Sequence, residues 1–128
     1  MTEKERYRSV LEAVGRGDDS AKTQLAWFML SGHGGAVFDA CGAVKLLSER
    51  VEEKDGEAMW MLGLCYEYGI GIEQDIQHSV LLYGESSRRK NEVGAFLAQT
   101  PRVYRGTGFL QFGSLNHSLI VIFLINQG

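Results

Sequence analysis

The sequence holds a single proline, at position 101, so no ring blocks helix formation anywhere before it. It has two cysteines, Cys41 and Cys65, 24 residues apart, which excludes a disulfide framework and any Cys-x-x-Cys metal or redox motif. His33, His78 and His117 are just as scattered, and no two potential ligands stand one helical turn apart. We therefore expect no metal and no cofactor. Positive charge is not in excess: 13 Lys and Arg face 16 Asp and Glu, for a net charge of −3, so nucleic acid is not an expected partner. The longest apolar run, Leu119 to Ile125, has seven residues, whereas a bilayer span needs about 20. No membrane span is expected. The opening MTEKERYRSV is charged and lacks the apolar core of a secretory signal, which points to a cytoplasmic location.

What is present is helical periodicity. Hydrophobic residues make up 45% of the 128 positions, enough for a folded chain of one small domain or a piece of a larger array. The most regular stretch is AMWMLGLCYEYGIGIEQDIQHSVLLY, residues 58–83. Ala58, Leu62 and Tyr66 recur every four residues, which stacks them on one helical face. Gly63 beside Leu62 lets a partner helix approach closely. Gly69 follows the last periodic residue, where a left-handed helix stop favours a residue without Cβ, and Gly71 keeps the turn tight. Asp75 stands at the N-cap of a second helix that carries Ile76, Val80 and Tyr83 on its predicted apolar face.

These residues (Ala58, Leu62, Gly63, Tyr66, Gly69, Gly71, Asp75, Val80 and Tyr83) resemble the Sel-one-like repeat family, a branch of the tetratricopeptide-like helical repeats. They fit its Ala-x-x-x-Leu-Gly-x-x-Tyr-x-x-Gly-x-Gly pattern followed by Asp and an apolar second helix. A looser copy precedes it: Ala21, Leu25, Gly32 and Gly34 lie 37 residues before Ala58, Leu62, Gly69 and Gly71. Beyond the loop the offset is 36, pairing Asp39 with Asp75, Val44 with Val80 and Leu47 with Tyr83. Ala26, Met29 and Leu47 replace the family's glycine, tyrosine and closing aromatic, and all three are apolar.

The flanks extend the pattern. Thr2 and Glu5 have capping-box spacing ahead of Tyr7, Val10, Leu11 and Val14, a helix that Gly15 and Gly17 end. It reads as the second half of a repeat, with Asp18 or Asp19 capping the next helix. Glu52 to Asp55, with Gly56, form a charged link between the copies, and Ser86 to Asn91 form a polar one after them. Val93, Leu97 and Ala98 open a third copy, 35 residues after Ala58, Leu62 and Gly63, that stops before Pro101. From Arg102 onward glycines and aromatics replace the charged pattern, and no acidic residue follows Glu92. This tail, 101–128, is either a cap on the open end of the stack or a non-native ending prone to aggregation.

The expected fold is thus all-α: a short right-handed α-solenoid of antiparallel helix pairs (a tetratricopeptide-like superhelix), either whole or truncated. Its helical repeat domain covers 1–100, with full repeats at 21–57 and 58–92 and partial ones at 1–20 and 93–100. No residue cluster is left over for chemistry. Ser87-x-x-Lys90 has the serine and lysine spacing of penicillin-binding enzymes but lacks their companion signatures. Gly32-x-Gly34-Gly35 follows a helix instead of a strand and lacks the Lys of a phosphate loop. The resemblance implies a non-catalytic protein–protein interaction module, an adaptor or scaffold that binds a peptide or protein on its concave surface. The competing readings are a hydrolase of the family's β-lactam-binding branch and a non-functional truncated repeat protein. The tetratricopeptide-like register places Glu57, Trp60, Leu64, Glu67 and Tyr68 on the concave side, joined by Ser20, Thr23, Trp27, Leu30 and Ser31 from the first copy. Trp27 and Trp60 have a second reading, as packing residues between neighbouring helices.

Overall fold

A computed structural model describes residues 1–100, which contain six α-helices and no strand. They are α1 (Glu3–Gly15), α2 (Lys22–Ser31), α3 (Ala40–Glu52), α4 (Gly56–Tyr68), α5 (Ile76–Arg88) and α6 (Glu92–Gln99). The sequence expectations for the tail 101–128 lie outside the described residues. Helices α2 and α3 pack as one pair and α4 and α5 as the next, while α1 packs on α2 and α6 on α5 and α4.

Two kinds of connection alternate along the chain, and each repeats its own chemistry. Within a pair, Gly32 and Gly69 take left-handed backbone angles (φ +73° and +69°) and stop the first helix. Asp39 then accepts the Gly42 amide at 2.9 Å, and Asp75 the His78 amide at 3.1 Å, to start the second. Between pairs, Gly17, Lys54 and Lys90 are all left-handed, and each is followed by a capping side chain: Asp18, Asp55 and Asn91. The amides of those three caps bond back to the carbonyls of Ala13, Arg50 and Ser86, one matching bond in each link.

The pair-internal loops also fix how repeats stack. A Cβ on Gly34 would sit 2.6 Å from the Glu3 carbonyl oxygen, and one on Gly71 would sit 2.5 Å from the Ala40 carbonyl oxygen. Each loop therefore lies directly on the first residue of an earlier helix, α1 in one case and α3 in the other. Helix α1 thus stands to the first loop as α3 stands to the second. Two apolar clusters result. The larger is centred on α4, and the smaller joins Val10, Ala21, Phe28 and Ala36; Trp27 packs against both.

Several sequence expectations are corrected here. Val80 is 58% exposed although its counterpart Val44 is 8% exposed. The inward face of α5 is instead Ser79, Leu82, Tyr83 and Ser86, rotated from the predicted stripe because two small serines let the neighbouring helices close in. Ser86 and Ser87 belong to the last turns of α5, not to a polar link; Ser86 is fully buried and donates to the Gly56 carbonyl at 2.7 Å. Gly56 begins α4, so Asp55 is its cap and not mid-link. Asn91 caps α6 36 residues after Asp55. Gly94, not Val93, is the buried small residue at the Ala58 position, and Ala98 is exposed.

Candidate functional site

The described helices enclose a groove of about 500 Å³ across α1, α2 and α4. Its walls repeat. Ser20, just ahead of α2, and Glu57 in α4 are 37 residues apart and sit at matching positions, as do Gln24 and Met61. The groove is therefore formed by the same face of two successive first helices, with Arg6 of α1 at one end and Trp27 and Phe28 along its floor.

Asp55, on the wall, is the most heavily bonded side chain of the site. It accepts the Thr23 hydroxyl at 2.6 Å, the Arg50 guanidinium at 3.4 Å, and the Glu57 and Ala58 amides at 3.0 and 3.4 Å. This one carboxylate ties α2, α3 and α4 together. Glu57 lies two residues on and forms no ion pair among the described residues. Its carboxyl is pushed above the ordinary glutamate range, first by desolvation in the concave wall and then by the Asp55 carboxylate, against a weaker stabilising hydrogen bond from Asn91. Its surface stays accessible even so: a concave wall can thin the hydration of a side chain without covering it. Arg6 is paired with Glu3 at 3.5 Å, with both side chains about half exposed. The Trp27 ring is held edge-on to Phe28 and to His33, each with centroids 5.0 Å apart.

Of the residues assigned to the concave side from sequence, the structure brings Ser20, Thr23, Trp27 and Glu57 into this groove. Thr23 is buried there and spends its hydroxyl on Asp55. Trp60, Leu64 and Glu67 are corrected: all three are buried inside the stack, Trp60 with only 5% of its surface accessible. The cause is the position of α4, which is packed by α2, α3, α5 and α6 and buries nine of its 13 residues. Glu67 turns inward to accept the Tyr83 hydroxyl at 2.5 Å, with both side chains fully enclosed. Tyr68 remains 41% exposed at the end of α4, away from the groove, and the half-buried Leu30 and Ser31 do not line it either. The sequence reading passed over Arg6, Gln24 and Met61. Gln24 and Met61 were findable, because the 37-residue offset that pairs Ala21 with Ala58 pairs them too.

The remaining candidates are placed elsewhere. Ser87 lies in the last turn of α5 and Lys90 in the left-handed link after it, and neither lines the groove. Cys41 is exposed on α3; Cys65 is buried in α4, where burial pushes its thiol up to about 12 and keeps it protonated. Tyr66 stacks on His78 with centroids 4.1 Å apart, a contact between the two helices of one pair.

No protein-family profile and no curated protein matches the chain. Among solved structures, it is similar to a Sel1 repeat protein from Oxalobacter formigenes, with a TM-score of 0.66 at 18% identity. The match covers 74% of this chain and 40% of that one. The fold is that of a Sel1-like repeat solenoid, and the chain spans well under half the length of that solved protein. No described helix is long and apolar enough to cross a membrane.

Proposed function

We propose that this chain is a non-catalytic protein-binding module, an adaptor or scaffold element, that holds a peptide segment of a partner in the groove across α1, α2 and α4. The observation carrying this reading is the repeated wall. Packing consumes most of both first helices, yet the matching positions Ser20 and Glu57, and Gln24 and Met61, line one continuous depression. Stacked helical repeats build extended concave surfaces of this kind and use them for binding. Trp27 and Glu57 are the proposed contact residues: one offers a rigid, half-buried aromatic face, the other a carboxyl that forms no ion pair among the described residues.

The test is selection of random dodecapeptides on a display library against the folded chain, with Gln24→Trp as the blocked control. Gln24 is exposed on the groove wall, so the added indole fills the groove without disturbing the stack. Selected peptides are expected to bind the parent chain and to lose at least tenfold in affinity for Gln24→Trp at an unchanged melting temperature. Peptides that bind both proteins equally, or no enrichment at all on folded protein, overturn the groove reading.

A further inference from the structure

The groove is electrically lopsided. At the α4 end, Asp55 and Glu57 are neighbours, and Arg50, at 3.4 Å, is committed to Asp55. At the α1 end the charge is already balanced, because Arg6 is paired with Glu3. Between the ends lies the half-buried Trp27 ring, a face that suits a long aliphatic stem, with the 5%-exposed Met61 behind it. A cation delivered to Glu57 would complete the only half of the site that lacks its counter-charge among the described residues.

We infer that the partner segment is basic: it lays a lysine or arginine along Trp27 and sets the cationic head on the Glu57 carboxylate. The inference rests on the groove reading above. An anion at this end would meet two carboxylates, and an apolar side chain would leave Glu57 desolvated with no compensating charge, the costlier outcome for a partly enclosed carboxyl. At the other end Arg6 already supplies a cation, paired with Glu3, so that end calls for no second basic residue. The occupant therefore carries one cation at the α4 end, not a basic run.

Three variants separate this inference from the groove reading. Peptides from the selection, re-synthesised with a fluorescent label, are titrated against the parent chain, Glu57→Gln, Arg6→Gln and Gln24→Trp. Affinity is expected to fall roughly tenfold, a loss of ~1.4 kcal/mol, in Glu57→Gln, and to fall equally when the peptide's lysine or arginine is replaced by glutamine. The two losses are expected not to add, because they remove one contact. Arg6→Gln is expected to cost less affinity than Glu57→Gln does, and added salt to weaken binding. Peptides that need an open groove but ignore Glu57→Gln overturn the basic inference and leave the groove reading standing. So do acidic peptides that need Arg6. Indifference to Gln24→Trp overturns the groove reading itself. Concentration-dependent self-association abolished by Glu57→Gln in sedimentation overturns the inference in favour of a second copy of this chain.

Discussion

Gly63 lacks a side chain because Tyr83 fills the space. A Cβ there would lie 2.6 Å from the Tyr83 ring, closer than packed carbon atoms approach, so Gly63→Ala forces the ring and α5 outward. We expect a loss of about 1–3 kcal/mol by urea melt, the usual cost of overpacking a tight core. The first repeat shows how the same site is solved otherwise. There Ala26, Leu30 and Leu47 stand where Gly63, Glu67 and Tyr83 stand in the second. A methyl replaces the hydrogen, a smaller side chain replaces the ring, and the carboxylate that bonds the phenol is gone. The triple replacement Gly63→Ala, Glu67→Leu, Tyr83→Leu should therefore recover much of what Gly63→Ala alone loses. A triple variant no more stable than the single one would show that the two repeats do not pack equivalently at this position. Glu57 supports a second prediction at this scale. Folding raises its pKa, so the native state holds the proton more tightly than the unfolded chain, and stability declines as pH rises from the ordinary value of 4.5 through the raised one. Glu57→Gln removes that decline. Its melting temperature should exceed the parent's at pH 7, and the gap should close below the ordinary glutamate value. An equal gap at both pH values would mean that its cause is something other than the carboxylate.

At the scale of helices and links, the structure rests on caps that sequence reveals well. Asp39, Asp75, Gly32 and Gly69 announce their roles because a cap involves only residues within one turn of it. The link between pairs was harder to read. Its left-handed residue is Gly17 in one copy but Lys54 and Lys90 in the others, and lysine gives no sign of a positive φ. Helix α4 hid its orientation for a different reason. A helix covered on all sides is apolar on all sides, so periodicity cannot say which residues face a groove, and Trp60 and Leu64 were misplaced for want of that contrast. Asp55 shows how much one cap can hold. Beyond the two amides of α4, it takes the Thr23 hydroxyl and the Arg50 guanidinium. A cap exchanged for alanine costs about 0.5–2 kcal/mol, and leaving buried partners unsatisfied adds about 1–3 kcal/mol more. Asp55→Ala should therefore destabilise clearly more than Asp18→Ala, whose carboxylate serves Ser20 and the Ala21 amide within one short turn and ties no second helix to it. Thermal melts of the two variants side by side decide it, and equal losses would show that the Thr23 and Arg50 bonds contribute nothing net.

For the whole molecule, the question is whether the stack opens as one body or unit by unit, since repeat arrays are held by neighbour-to-neighbour interfaces. Helix α4 touches helices on every side, and the larger apolar cluster runs through it. Its loss would leave α2–α3 and α5–α6 without a common surface. Cys65 sits in that helix, 1% exposed, with its thiol pushed up to about 12 by burial, whereas Cys41 is exposed on α3. The two thiols form a built-in comparison. Iodoacetamide should label Cys41 at once and Cys65 only through an opening that frees α4, so the Cys65 rate reports the stability of the whole stack. Leu62, one turn from Cys65 and 4% exposed, sets the size of the effect. Leu62→Ala should cost about 2–5 kcal/mol and accelerate Cys65 labelling on the order of thirtyfold to several-thousand-fold, with Cys41 unchanged. Val10→Ala, in the smaller cluster around α1, should weaken the chain by less and accelerate Cys65 by less. If Cys65 labels as fast as Cys41 in the parent chain, α4 is not the centre of a cooperative body. If Val10→Ala accelerates Cys65 as much as Leu62→Ala does, the two clusters open together, joined through Trp27, which packs against both.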